Sequence, residues 1–147
     1  PQIQARVPDV TLMITGDHAN LPLPVDASVT LTGFVDDVQQ EIAQSCVSVA
    51  PIHNGGGTRL KILEAMASGT PVVTTSKGAE GLDVQHERHL LIADTPEVFA
   101  EGVIRLLSQP QLRQQLAANA YAKVCEAYDW DATMPRFLHL VEQVASQ

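Results

Sequence analysis

The stretch from His53 to Pro71, reading HNGGGTRLKILEAMASGTP, constrains the fold of this chain more than any other. Gly55, Gly56 and Gly57 run straight into a helical pattern in which Leu60, Leu63 and Ala67 recur at helical spacing. Gly69 stands where a helix ends in a left-handed residue, and Pro71 follows where it cannot go on. Upstream, Cys46–Pro51 reads as a buried strand; downstream, Pro71–Thr75 reads as another. The predicted unit is therefore strand, glycine-rich turn, helix, strand. Such a turn leaves unbonded backbone N–H groups above a helix N-terminus, where the partial positive charge favours an anion.

Arg59 and Lys61 fall in the predicted first turn, where the helix dipole disfavours cations unless an anion lies between. Glu64 follows Lys61 by three positions and shares its face. Amides and cations suit a diphosphate, and a carboxylate suits ribose hydroxyls, so the set reads as a nucleotide site. It reads equally as a solvated surface on which Glu64 only pairs with Lys61. Spacing leaves both open. His53 borders the loop and either touches a bound phosphate or sugar or simply shapes the turn. The run does not match the phosphate-loop pattern, which needs a lysine and a hydroxyl residue directly after its last glycine.

The chain has 147 residues, enough for one domain with its own core. Its net charge of −8, from 17 acidic and 9 basic residues, argues against a nucleic-acid or anionic-membrane surface. Cys46 and Cys125 form no disulfide framework. They read as core thiols in a reducing, cytoplasmic compartment, with peripheral membrane association left open for a longer protein. No apolar run reaches membrane-spanning length. The sequence begins at Pro1, within an element leading into a strand, so residues 1–147 read as a single domain belonging to a longer two-domain chain.

Further along, Val10–Thr15 reads as a strand ending at Gly16, and Val29–Phe34 as the next. Between them the linker Asp17–Ser28 is broken by Pro22 and Pro24. Asp36 or Asp37 caps a short helix with Val38 and Ile42 inward. Ser76–Leu82 reads as a loop and His89–Ala93 as a short strand. Thr95 caps a helix with Pro96 in its first position and Phe99, Val103, Leu106 and Leu107 inward. A second helix from Pro110 aligns Leu112, Leu116, Ala120 and Val124. A third, from about Asp131, aligns Met134, Phe137, Leu138, Val141 and Val144, with Tyr128 and Trp130 as packing anchors before it. Apolar strands alternating with helices predict an α/β fold: a Rossmann-like, doubly wound parallel sheet with C-terminal helices. In such sheets ligands bind beyond the carboxyl ends of the strands. Gly16, the Phe34–Val35 turn, the Gly55–Gly57 loop and the 76–81 loop all fall there.

Other chemistry is sparse. His18, His53, His86, His89 and His139 include no pair four apart, so no metal site is expected. No Gly-x-Ser-x-Gly elbow occurs.

From Gly55 to Val73 the chain closely resembles the donor-binding motif of the family 4 retaining glycosyltransferases, GT-B enzymes with two Rossmann-like halves. A looser likeness runs from Val10 to about Val144. It takes in the strand ending at Gly16, the segment LTGFV from Leu31 to Val35, and TSKGAEGL from Thr75 to Leu82. The resemblance implies that Glu64 binds the nucleotide ribose. It implies that Gly57 and Thr58 offer amides near the diphosphate and sugar, with Gly55 and Gly56 in the same loop. It further implies that Phe34 and Val35 lie against the base, with Gly16 at the neighbouring strand end. The chain departs from the family at Gly56, where many members carry an acidic residue for donor-sugar hydroxyls. Arg59 and Lys61 are then the candidates for stabilising the leaving group.

The expected function is the C-terminal half, one half of a GT-B fold, of a hexosyl-type transferase of glycan biosynthesis. It would bind a nucleoside diphosphate sugar as substrate, with no metal and no resident cofactor. The acceptor-binding half and the family's basic pair would lie outside this sequence, so the chain alone is expected to be inactive. In GT-B proteins the C-terminal helix commonly crosses to the other half, which leaves the last helix here open to self-association. Two rivals share the architecture. One is half of a GT-B nucleotide-sugar epimerase; the other is a flavodoxin-like interaction module without catalysis.

Overall fold

A computed structural model describes residues 1–17 and 26–145, so most of the predicted linker 17–28 lies outside the described residues. β1 (Leu12–Thr15) and β2 (Val29–Gly33) pair in parallel. β3 (Ser48–Ala50), β4 (Val72–Thr74) and β5 (Leu91–Ile92) form a second parallel sheet in that order. The helices are α1 (Val38–Gln44), α2 (Leu60–Ala67), α3 (Ser76–Ala79), α4 (Pro96–Ser108), α5 (Pro110–Ala127) and α6 (Trp130–Ala145).

β4 shows why this is an α/β fold covered on both faces. Successive strand residues point to opposite sides. Val72 joins a cluster with Ile62, Ala65 and Met66 of α2 and Ala120 of α5, while Val73 packs with Val103 and Leu106 of α4 and Leu116 of α5. Val72, Val73, Ile62, Met66, Leu106 and Leu116 are wholly buried, and each contributes roughly 1.5–3 kcal/mol on transfer from water. The expected α/β class with parallel strands and covering helices is observed, although among the described residues the strands form two sheets rather than the one expected.

The predicted helix ends hold. At the end of α2 the Thr70 N–H donates to the Ala65 carbonyl at 2.9 Å and the Gly69 N–H to that of Met66 at 3.2 Å. This paired C-cap needs the left-handed backbone that Gly69 adopts, at φ +69°. Thr95 accepts from the Val98 N–H at 3.3 Å and Asp37 from the Gln40 N–H at 2.9 Å, capping α4 and α1.

Several expectations are corrected. Both cysteines are exposed rather than core thiols. Cys46 precedes β3, which begins only at Ser48. Cys125 lies nine residues past buried Leu116 on α5, half a turn of the helix wheel away. The buried stripe of α2 is Ile62, Ala65 and Met66, whereas Leu60 and Ala67 are exposed on the other side. Val38 is exposed, and only Ile42 of α1 packs against the core. Residues 76–79 form a helical turn, not a loop. The strand at 89–93 shortens to Leu91–Ile92. Trp130 is 75% exposed rather than a packed anchor, while the Tyr128 hydroxyl accepts from the Asp83 N–H at 2.7 Å. Met134, Phe137, Leu138, Val141 and Val144 of α6 are all exposed. Among the described residues no helix is long and apolar enough to cross a membrane.

Candidate functional site

Because the strands are parallel, their carboxyl ends gather the predicted loops on one edge of each sheet. At the end of the first sheet the Gly16 N–H donates to the Gly33 carbonyl at 2.7 Å. Phe34 follows at 85% exposure, with Val35 half-buried behind it. A large apolar ring standing in solvent at a strand end offers a flat stacking surface.

At the end of β3 the chain enters the glycine loop. Gly55 and Gly57 take φ values of +106° and +88°, a backbone that side-chain-bearing residues rarely adopt. The loop and the start of α2 enclose a cleft of about 440 Å³. It is lined by Pro51, Ile52, His53, Asn54, Gly55, Gly56, Thr58, Arg59, Leu60 and Lys61. No side chain caps the N-terminus of α2. The amides of Gly56, Gly57, Thr58, Leu60 and Lys61 have no acceptor among the described residues. A helix N-terminus with this many unbonded N–H groups can receive an anion.

Arg59 is the N-cap residue rather than a first-turn one, and it is 6% exposed. Its guanidinium turns back beneath the loop. Nη1 donates to the Gly56 carbonyl at 3.4 Å, and Nη2 to the Gly55 carbonyl at 3.4 Å and to Glu80 Oε2 at 3.3 Å. Lys77 Nζ bonds the same Glu80 oxygen at 2.5 Å. The Lys77 hydrogen bond, then the charges of Lys77 and Arg59, hold the Glu80 carboxyl below its ordinary range. Arg59 Nε is buried without a partner among the described residues. Lys61, by contrast, is exposed at the cleft. Glu64 is half-buried one turn further along. Among the described residues no ion pair joins it to Lys61.

Two adjacent threonines at the end of β4 hold the approach to the cleft. Thr74 Oγ1 donates to the Ala50 carbonyl at 2.9 Å. Thr75 Oγ1 donates to the Ile52 carbonyl and accepts from the Gly78 N–H, capping α3 as it does so. Asp94 accepts from the Ser76 N–H at 2.7 Å and from its hydroxyl at 2.6 Å. Those bonds, with nearby His53, lower the Asp94 carboxyl from its usual value.

The structure thus gathers Gly55, Gly56, Thr58, Arg59 and Lys61 around one cleft, with Gly57 in the same loop and Glu64 on the same helix. Gly16, Phe34 and Val35 belong to the β1–β2 edge instead. Reading the sequence misses Glu80, because only the folded chain carries a residue 21 positions away onto Arg59. It also misses the supporting role of Thr74 and Thr75. Among the described residues no cluster of His, Cys, Asp and Glu could hold a metal ion.

Parallel sheets under helices, with a glycine loop opening α2 at the carboxyl end of a strand, define a Rossmann-like α/β domain. The family model described as glycosyl transferases group 1 matches residues 1–109, and the chain belongs to that family. It is 31% identical over 158 residues to a phosphatidyl-myo-inositol mannosyltransferase of Mycobacterium tuberculosis, covering 99% of this chain and 42% of that one. The C-terminal domain of a glycosyl transferase group 1 family protein, LpcC, from Francisella tularensis superposes at a TM-score of 0.63 with 26% identity. That match covers 71% of this chain and 55% of the other. Anabaena Alr3699/HepE, solved with UDP and glucose, shares the fold at a TM-score of 0.77 and 20% identity, over 99% of this chain and 44% of its own. The chain spans less than half the length of the curated relatives it matches.

Proposed function

We propose that this chain is the C-terminal, donor-binding half of a retaining family 4 glycosyltransferase of hexosyl type, receiving a nucleoside diphosphate sugar. The observation that carries the reading is the glycine loop with its unbonded amides at the N-terminus of α2. In this reading the diphosphate lies on the amides of Gly56, Gly57 and Thr58, and Lys61 reaches it from the first turn. Glu64 accepts hydrogen bonds from the ribose hydroxyls, and Phe34 and Val35, with Gly16 beside them, meet the base. Transfer breaks the bond between sugar and diphosphate, and the electron pair departs on the diphosphate. Preorganised amides and a cation stabilise that developing charge without reorganising. The UDP and glucose held by HepE, and the mannosyl transfer named for the mycobacterial relative, agree with this chemistry.

Division of labour between two halves gives a test. The purified 147-residue chain is expected to bind UDP yet transfer no sugar from a nucleotide sugar to any acceptor. Calorimetry and a radiolabelled transfer assay read the two properties separately. Transfer by this chain alone contradicts the two-half reading. Absence of binding to every nucleoside diphosphate contradicts the donor role and favours an interaction module.

A further inference from the structure

We propose that Arg59 is a positioning residue: clamped by Glu80, it holds the Gly55 and Gly56 carbonyls inward and thereby aims the loop amides outward at the diphosphate. The inference rests on the donor-binding reading of the loop and gives Arg59 a role within it. A peptide unit is planar and trans, so its C=O and N–H point in opposite directions. The carbonyls of Gly55 and Gly56 both face the Arg59 guanidinium, at 3.4 Å each. The N–H groups of those same two peptide units belong to Gly56 and Gly57, and they therefore point away from Arg59. Neither has an acceptor among the described residues.

A glycine loop has no side chains of its own to fix this arrangement, and glycine carries more backbone freedom than any other residue. At 3.3–3.4 Å each bond to Arg59 is long, so no single one fixes the loop. The hold comes from three oxygens shared between the Nη1 and Nη2 atoms of one buried cation, a planar two-nitrogen span that the single point-like ammonium of a lysine does not reproduce. Glu80 completes the device from below. It neutralises the buried charge, and Lys77 holds the Glu80 carboxylate in place at 2.5 Å. Without Glu80 the guanidinium is free to leave the carbonyls for water.

Glu80→Gln separates positioning from direct contact by the sign of its effect. Neutralising a carboxylate beside a cation that touched the diphosphate itself would strengthen anion binding. Under the clamp it weakens UDP binding, by about fivefold, on the scale of a partly exposed ion pair. It also lowers the heteronuclear NOE of the Gly56 and Gly57 amides. Because the Glu80 side chain is 58% exposed, Tm should barely move, which distinguishes the effect from loss of fold. Arg59→Lys keeps the charge, yet should cost about tenfold or more in UDP affinity and loosen the same two amides. Tighter or unchanged UDP binding in Glu80→Gln, with loop order intact, overturns the clamp. If the wild type binds no nucleoside diphosphate, UDP included, the donor reading fails, and the two amide NOE values still decide whether Arg59 and Glu80 order the loop.

Discussion

Glu64→Gln is expected to weaken binding of a ribonucleoside diphosphate by about ten- to hundredfold while changing affinity for the 2′-deoxy counterpart much less. Charge-assisted hydrogen bonds contribute roughly 1.5–3 kcal/mol, which sets that range. The substitution keeps the shape of the side chain and removes its charge. The carboxylate is available to ribose hydroxyls, since Glu64 is half-buried on α2 and makes no ion pair among the described residues. A surface carboxylate with no ligand would behave differently, because its neutralisation costs little and alters no affinity. Calorimetry on the matched pair of ligands reads the difference. Equal losses for both would remove Glu64 from the ribose site.

Gly78→Ala is expected to destabilise the fold by about 1–3 kcal/mol, as overpacking of a closed core does. A Cβ at this position would stand 2.0 Å from Thr74 Oγ1 and 3.4 Å from the Ala50 carbonyl oxygen. Thr74 is wholly buried and has no room to swing aside, since its hydroxyl is already committed to Ala50. Something must give: either the hydroxyl loses its acceptor or α3 lifts from β4. Both routes disturb Pro51 and Ile52, which line the cleft, so UDP binding should weaken alongside Tm. Gly102→Ala is the control. The nearest atom to a Cβ there is Val73 Cγ1 at 3.4 Å, an ordinary contact, and the cost should be small. Chemical denaturation of the two variants provides the comparison; equal stability of Gly78→Ala and wild type contradicts the overpacking.

The glycine loop, α2 and its stop were legible because local chemistry decides them. Gly69 and Pro71 end the helix whatever surrounds it, and Thr95 with Pro96 starts α4 in the same way. The exposure of Cys125 is written in the helix phase too, half a wheel from Leu116. Residues 76–79 misled because Gly78 looks like a loop residue; it is needed for close approach of α3 to β4, and Thr75 was the cap that marked the helix. What no local pattern carries is the direction of Arg59. Its guanidinium meets Glu80, which lies beyond α2 and β4 along the chain, so no local pattern shows the pairing. The stripe on α6 shows the opposite limit. Periodicity identifies an apolar face on Met134, Phe137 and Val141 but not whether anything covers it.

A nucleoside diphosphate seated on the loop that opens α2 underlies every role given to these residues. Titration of the 15N-labelled chain with UDP observes that seat atom by atom. Saturable shifts are expected, largest at the amides of Gly56, Gly57, Thr58 and Lys61, with the Phe34–Val35 turn responding to uridine itself. Saturation that leaves those four amides unmoved, or no binding of UDP or of any other nucleoside diphosphate, would contradict it.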